Sequence, residues 1–275
     1  MPNSDVSNSG VSNSGVSNSG VSNSRGAVLV TGVGRRRSIG SGIALGLAAD
    51  GWNLVLNHWA PYDDRLDYER GPRDVEEVAD ECRALGRRVE IVAADLADVE
   101  APARLVAALA ELGRPAGLVL SHTESVDSSI EDTTLESWDR HFAVNVRASW
   151  LLIQAFATHL PSASPGVAVG RVIALTSDHT AHNLPYGASK GALDRLVIAA
   201  AEELGPRGLR ANVINPGPID TGWMTDDLRS WCVGQTPAGR LGTSQDIADL
   251  VRFLMSDAGA WITGQLLFSN GGFRN

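Results

Sequence analysis

From residue 27 onward the chain alternates short, uninterrupted apolar runs with longer stretches of helical period, and few folds accept that alternation. "AVLVT" (27–31), "NLVLN" (53–57), "RVEIVAAD" (88–95), "GLVLS" (117–121), "GRVIALTS" (170–177), "LRANVIN" (209–215) and "GQLLFS" (264–269) read as strands. Helical patterns fall between them, at 39–51, about 75–85, 101–112, about 135–159 as one long helix, about 187–204 and about 244–256. The last opens on "TSQD", which can cap its first turn, and Gly42 and Gly46 suit the helix at 39–51 to close packing on a sheet. A strand with one wet face alternates apolar and polar residues; these runs do not, so both faces of the sheet are covered. Strands interleaved with helices then predict an α/β fold, a doubly wound parallel sheet of about seven strands, Rossmann-like, in a single domain over residues 26–275. No room is left for a separate substrate domain.

Ahead of that pattern, "VSNSG" units repeat between Val6 and Arg25. One Val in five residues buries too little to offset chain entropy, so residues 1–25 read as a disordered low-complexity leader. The formal charge of −9 argues against nucleic acid or an anionic membrane surface as partner, without excluding a local basic pocket. No apolar run reaches the ~18 residues of a membrane span, and the N-terminus lacks an apolar signal-peptide core. Two distant cysteines, Cys82 and Cys232, with no Cys/His cluster, fit a reduced cytoplasmic protein without a metal site.

In a doubly wound sheet, ligands bind beyond the carboxyl ends of the strands. "TGVGRRRSIGSG" (31–42) lies there, after the first strand. Gly32, Gly34 and Gly40 can take unusual dihedrals, and the amides around Ser38 and Ile39 can hold a pyrophosphate. An NAD-type fold ends its second strand on a carboxylate for the adenosine ribose; here Asn57-His58 stands instead. With that repulsion absent and Arg35, Arg36 and Arg37 nearby, a second phosphate is accommodated, which favours NADP(H) over NAD(H). Arg36 and Arg37 are the candidates, and the spacing does not separate them.

"LPYGASKGALDR" (184–195) carries the chemistry. Tyr186 and Lys190 are four apart at a helix start and share a face. A free phenol titrates near 10, about 4 kcal/mol from neutrality, and a lysine ammonium with a cationic nicotinamide can supply that. The phenol can then exchange a proton with a substrate oxygen. Ser177 closes the fifth strand on the same sheet edge, Asn145 sits in a helix it does not favour, and "NPGPIDTGWM" (215–224) leaves the sixth strand with Thr221 able to meet a carboxamide.

These segments together, over residues 27–273, resemble the short-chain dehydrogenases/reductases in their single-domain form. The specific parts are "TG…IG" at 31–40, "DL" at 95–96, "NV" at 145–146, Ser177, "YGASK" at 186–190, "NPGPIDT" at 215–221 and "ITGQLLFSNGG" at 262–272. The resemblance implies Tyr186 as catalytic acid/base, Ser177 as the carbonyl-orienting hydroxyl, Lys190 as the ribose-binding residue that lowers the phenol pKa, and Asn145 as the holder of a relay water. It implies Asp95 beside the adenine, Ile219 and Thr221 beside the nicotinamide, and Leu96, Ser121, Pro216 and Gly217 among the other cofactor contacts. A homotetramer or homodimer is implied as well. Three departures stand out: the glycine turn is two residues longer, with Ser38 at the middle glycine; Ser121-His122-Thr123-Glu124 replaces N-N-A-G; and a short segment with His179 and His182 precedes Tyr186. The reading is an NADPH-dependent carbonyl reductase, most similar to 3-oxoacyl thioester reductases, acting on a small-molecule substrate. A secondary-alcohol dehydrogenase and a non-catalytic dinucleotide-binding regulator remain alternatives. Residues 218–240 are expected to form a mobile substrate lid, with Trp223, Met224 and Trp231 suiting an apolar or flat substrate.

Overall fold

Seven strands pair in the order β3-β2-β1-β4-β5-β6-β7, and every pairing is parallel. They are β1 (Ala27–Val30), β2 (Asn53–His58), β3 (Val89–Ala93), β4 (Pro115–Leu120), β5 (Gly170–Leu175), β6 (Leu209–Asn215) and β7 (Leu266–Phe268). The computed structural model describes residues 25–66, 68 and 70–273. The repeat of residues 6–24 therefore lies outside the described residues. Arg25, assigned to the leader from sequence, belongs to the fold: its guanidinium lies 6.0 Å from the Trp52 ring and its carbonyl accepts from Arg114.

The central strands β1, β4 and β5 are buried along their whole length, as continuous apolar runs require. One face is covered by α1 (Ile39–Ala49), α3 (Asp74–Ala84) and α9 (Ser244–Met255), through Ile43, Leu47, Val78, Ile247 and Val251. The other is covered by α4 (Ala101–Leu112), α6 (Ala148–Ala157) and α7 (Leu184–Leu204), through Leu105, Leu109, Leu152, Phe156 and Val197. The cap expected at "TSQD" is present as a reciprocal Thr243–Asp246 capping box. Gly42 and Gly46 serve a different contact from the one expected. A Cβ at Gly42 would lie 2.6 Å from the Ser244 Cβ, and one at Gly46 2.9 Å from the Arg252 Cδ, so they admit α9 rather than the sheet.

The long helix expected at 135–159 is three pieces. α5 (Leu135–Phe142) passes through a π turn (Ala143–Arg147) into α6. Two helices were not foreseen: α2 (Ala60–Arg65), and α8 (Asp226–Gln235), which lies within the segment 218–240 expected to cover the substrate. Met224, Cys232, Leu241 and Phe273 form a small core beneath α8, while Trp223 and Trp231 stay about half exposed. Among the described residues, no helix is long and apolar enough to cross a membrane. All seven carboxyl ends share one edge, and the strand order reverses between β1 and β4, where such sheets bind ligands.

Candidate active site

β5 ends at Leu175, and Ser177 follows at its carboxyl edge. α7 opens with Pro185 in its first turn, where a missing amide costs nothing, and this puts Tyr186 in that turn. The Ser177 side chain stands close enough to Tyr186 to draw its phenol pKa down, and Ser177 Oγ accepts from the His179 amide at 3.1 Å. One helical turn on, Lys190 is buried; its Nζ donates to the Leu175 carbonyl at 2.9 Å and lies 5.7 Å from the Tyr186 ring centroid. Burial pushes the Tyr186 phenol up to about 12, against the opposing pull of the nearby Ser177 side chain. Burial likewise brings Lys190 down to about 8, with Asp194 opposing. The phenol thus moves away from neutrality, opposite to the expected lowering; bringing it down requires a further cation beside it.

Asn145 occupies the π turn, a local widening that frees backbone geometry and recurs at functional sites. Its Oδ1 accepts from the Glu124 amide at 2.7 Å, and its Nδ2 donates to the Glu124 carbonyl at 2.9 Å and to Ser189 Oγ at 2.8 Å. Every polar atom of the side chain is engaged with protein. The Asn145 carbonyl accepts from Ser149 Oγ at 2.9 Å.

The departure at 121–124 builds a different wall. His122 is buried: Nδ1 meets Thr31 Oγ1 at 2.7 Å, and Nε2 meets the Val144 carbonyl at 3.1 Å and Ser149 Oγ at 3.3 Å. Burial and the nearby Lys190 charge lower its pKa to about 3, so it is a neutral tie between β1, the end of β4 and the π turn. Glu124, also buried, pairs with Arg65 and with Arg140 Nε at 3.2 Å. Arg140 forks onto both Asp95 oxygens, at 2.8 and 3.1 Å. Asp95, expected beside an adenine, is therefore held in an ion pair, with Leu96 buried next to it. This ladder escaped the sequence reading; the replacement of N-N-A-G was its only signal.

At the glycine turn, only Gly32 adopts a left-handed conformation, with φ +75°. Gly34 and Gly40 are needed for space instead: a Cβ at Gly40 would lie 2.7 Å from the Gly32 carbonyl. Ser38 is the N-cap of α1 and accepts from the Ser41 amide at 3.2 Å, with Ile39 opening the helix. The three arginines diverge. Arg36 points along α3, pairing with Glu81 at 2.6 Å while its amide donates to Asp74. Arg37 turns toward the loop after β6 and pairs with Asp220 at 2.8 Å. Arg35, not singled out from sequence, is largely buried and bonds Asp63 at 3.0 Å and the Thr221 carbonyl at 2.9 Å.

Asn57 is not at a pocket surface. It is buried, and its amide donates to Val92 and Ala94 across the sheet. Ser121 donates its amide to Thr31 Oγ1, against the Gly32 turn. Pro216 and Gly217 (φ +63°) turn the chain after β6, bringing buried Ile219 and Thr221 back to the same edge. His179 is exposed, its ring 6.5 Å from that of Tyr186, and exposed His182 takes φ +64°. Among the described residues no cluster of metal-ligating side chains occurs.

A doubly wound sheet, a glycine turn at the strand-order switch and a hydroxyl, phenol and ammonium gathered beside it have the layout of a dinucleotide-dependent oxidoreductase. The family model described as "Enoyl-(Acyl carrier protein) reductase" matches residues 32–274. The chain is 34% identical over 250 residues to the uncharacterized oxidoreductase YjdA of Bacillus subtilis, covering 89% of this chain and 95% of that one. A blue fluorescent protein from a metagenomic library, solved with NADPH, superposes with TM-score 0.78 at 30% identity, covering 92% of this chain and 99% of its own. A short chain dehydrogenase from Burkholderia cenocepacia, solved with NADP, superposes with TM-score 0.77 at 32% identity, covering 90% and 97%. The chain belongs to the short-chain dehydrogenase/reductase family and is an NAD(P)-dependent oxidoreductase.

Proposed function

We propose that the protein is an NADPH-dependent carbonyl reductase whose substrates are small ketones of the 3-oxoacyl-thioester type. The observation that carries this reading is Ser177 at the Tyr186 phenol with the buried Lys190 one turn away, its Nζ 5.7 Å from the ring centroid. The donor set suits a dinucleotide carrying an additional phosphate. Amides at the start of α1 and the Arg36 guanidinium stand at the glycine turn, Arg35 and Arg37 reach from it toward the loop after β6, and no carboxylate ends β2. Gly32, Gly34, Ser38 and Ile39 would hold the pyrophosphate. Arg36, which lies along α3, would meet the 2′-phosphate. Ile219 and Thr221 would line the nicotinamide side. Two solved relatives with NADPH or NADP point the same way.

When bound, the reduced nicotinamide supplies hydride to the carbonyl carbon. Ser177 Oγ would orient the carbonyl oxygen, and Tyr186 Oη, protonated at neutral pH, would donate its proton there. Lys190, held by the Leu175 carbonyl, would bind the ribose hydroxyls and offset the phenolate charge left behind. Asn145 would keep the first turn of α7 in place through Ser189. A homodimer would pack across the apolar hollow formed by Phe142, Val146, Trp150 and Leu196.

The family-model description raises enoyl thioester reduction as a second reading. The four-residue Tyr186–Lys190 spacing with a serine partner favours carbonyl chemistry. NADPH consumption should be followed with a 3-oxoacyl thioester, a panel of small ketones and a 2-enoyl thioester, before and after Tyr186→Phe. Turnover of the oxo compounds that collapses in the variant supports the proposal; turnover confined to the enoyl thioester, or indifferent to the substitution, rejects it.

A further inference from the structure

α2 lies against the glycine turn at the very place where phosphate would approach. A Cβ at Gly34 would stand 2.6 Å from Asp63 Oδ2, so the Asp63 carboxylate rests on the backbone of the turn. Its other oxygen pairs with Arg35 Nε at 3.0 Å, in a contact where both side chains are nearly out of solvent, 13% and 9% exposed. The same guanidinium bonds the Thr221 carbonyl at 2.9 Å and stacks 4.6 Å from the Tyr68 ring centroid. Arg35 therefore spans the cleft from the turn after β1 to the loop after β6, and Asp63 meets it between them. Two residues along α2, Arg65 pairs with Glu124 on the wall after β4, which pins the helix from its other side.

A carboxylate and a phosphate present a guanidinium with the same paired oxygens, and the phosphate brings more charge. Burial holds the Asp63 carboxyl above its usual range despite the pull of Arg35, so this anion is desolvated at some cost. An uncompensated cost of this kind makes it replaceable.

We propose that Asp63 is a built-in anion that occupies Arg35 and the glycine turn until a dinucleotide phosphate takes its place, and that Arg35 is then a phosphate-binding residue of the turn. The proposal rests on the dinucleotide reading above. α2 is in this view a selective gate: a ligand without phosphate has nothing to exchange for Asp63.

The test compares wild type, Asp63→Asn, Arg65→Gln and Arg35→Ala. It measures NADPH dissociation constants by nicotinamide fluorescence and hydrogen exchange of residues 60–66 with and without NADPH. Asp63→Asn is expected to bind NADPH about tenfold more tightly, the gain if the closed arrangement holds about nine-tenths of the dinucleotide-free molecules. Arg65→Gln, which loosens α2 without touching the turn, should tighten binding in the same direction, and Arg35→Ala should weaken it. In wild type, NADPH should accelerate exchange at 60–66. If wild type binds NADPH while neither Asp63→Asn nor Arg65→Gln binds more tightly, the gate is overturned and the dinucleotide reading stands. If wild type binds neither NADPH nor NADH, both fall together.

Discussion

Asn145 and Ser189 are joined by a 2.8 Å hydrogen bond that clips the π turn to the first turns of α7, at the residue just before Lys190. Ser189 in turn donates to the Tyr186 carbonyl at 2.7 Å. The amide thus fixes, from a distant part of the chain, the helix turn on which the phenol stands. With the Glu124 amide and carbonyl also satisfied by the same side chain, a single residue sets the spacing between the β4 wall and α7.

Asn145→Ala leaves the Glu124 backbone groups and Ser189 without their partners in a buried region. At the low end of the about 1–3 kcal/mol for each buried group left unsatisfied, the three groups give an expected loss of roughly 3–4 kcal/mol. Thermal melting should fall by about 5–15 °C, and turnover should fall with it, since the Tyr186 turn is no longer clipped. A melting temperature equal to that of wild type would show that the clip is dispensable.

The phenols give a spectroscopic prediction. All three tyrosines, Tyr62, Tyr68 and Tyr186, have pKa values raised by burial, Tyr186 to about 12. A phenol whose folded pKa exceeds its unfolded value adds stability that is complete below about 10 and is lost as pH rises through the folded value. The native protein without dinucleotide should therefore show less tyrosinate absorbance at pH 10 than the unfolded chain, with the main band emerging only at higher pH. Tyrosinate appearing near pH 8 would mean that the phenol is already lowered without any cofactor.

Arg36 and Arg37, equivalent in the sequence, face different partners. Arg36→Ala should raise the KM for NADPH roughly tenfold and leave that for NADH nearly unchanged, since a charge-assisted contact to a phosphate is about 1.5–3 kcal/mol. Arg37→Ala, which frees Asp220 on the other side of the cleft, should not discriminate between the two dinucleotides. Steady-state kinetics with both cofactors decide it; equal losses with NADH and NADPH in Arg36→Ala would remove that residue from the 2′-phosphate.

His122 should make the protein acid-sensitive. Its folded pKa, about 3, lies below the unfolded 6.5, so the unfolded chain takes up a proton that the native state refuses. Stability is therefore full above about pH 6.5 and falls by up to about 1.4 kcal/mol per unit as pH drops toward 3. His58 and His141 are lowered in the same direction and add to the slope. Chemical denaturation between pH 7 and 4 should show a shallower decline for His122→Asn; parallel profiles would assign the acid sensitivity elsewhere.

The order of strands and helices was legible because each is written locally: a buried parallel strand must be apolar throughout, and a covering helix must repeat at its own period. Ser177, Tyr186 and Lys190 were legible for a related reason. They sit at the end of a strand and on one face of one helix, so short-range spacing brings them together. The π turn was not, because a backbone widening leaves no composition of its own; Asn145 marked the place but read as a residue in an ordinary helix. α2 was missed because six residues with a proline and two aspartates carry no period.

The sequence by itself determined the sheet, its two helical layers and the edge at which Ser177, Tyr186 and Lys190 stand, since hydrophobic pattern and strand direction suffice for these. Only the tertiary structure decided what each charge does. Arg35 found Asp63, Arg36 found Glu81, Arg37 found Asp220, and Asp95 found Arg140 rather than standing open. Such pairings join residues that the fold alone brings within reach, and electrostatic attraction at 3 Å leaves no trace in the spacing along a chain.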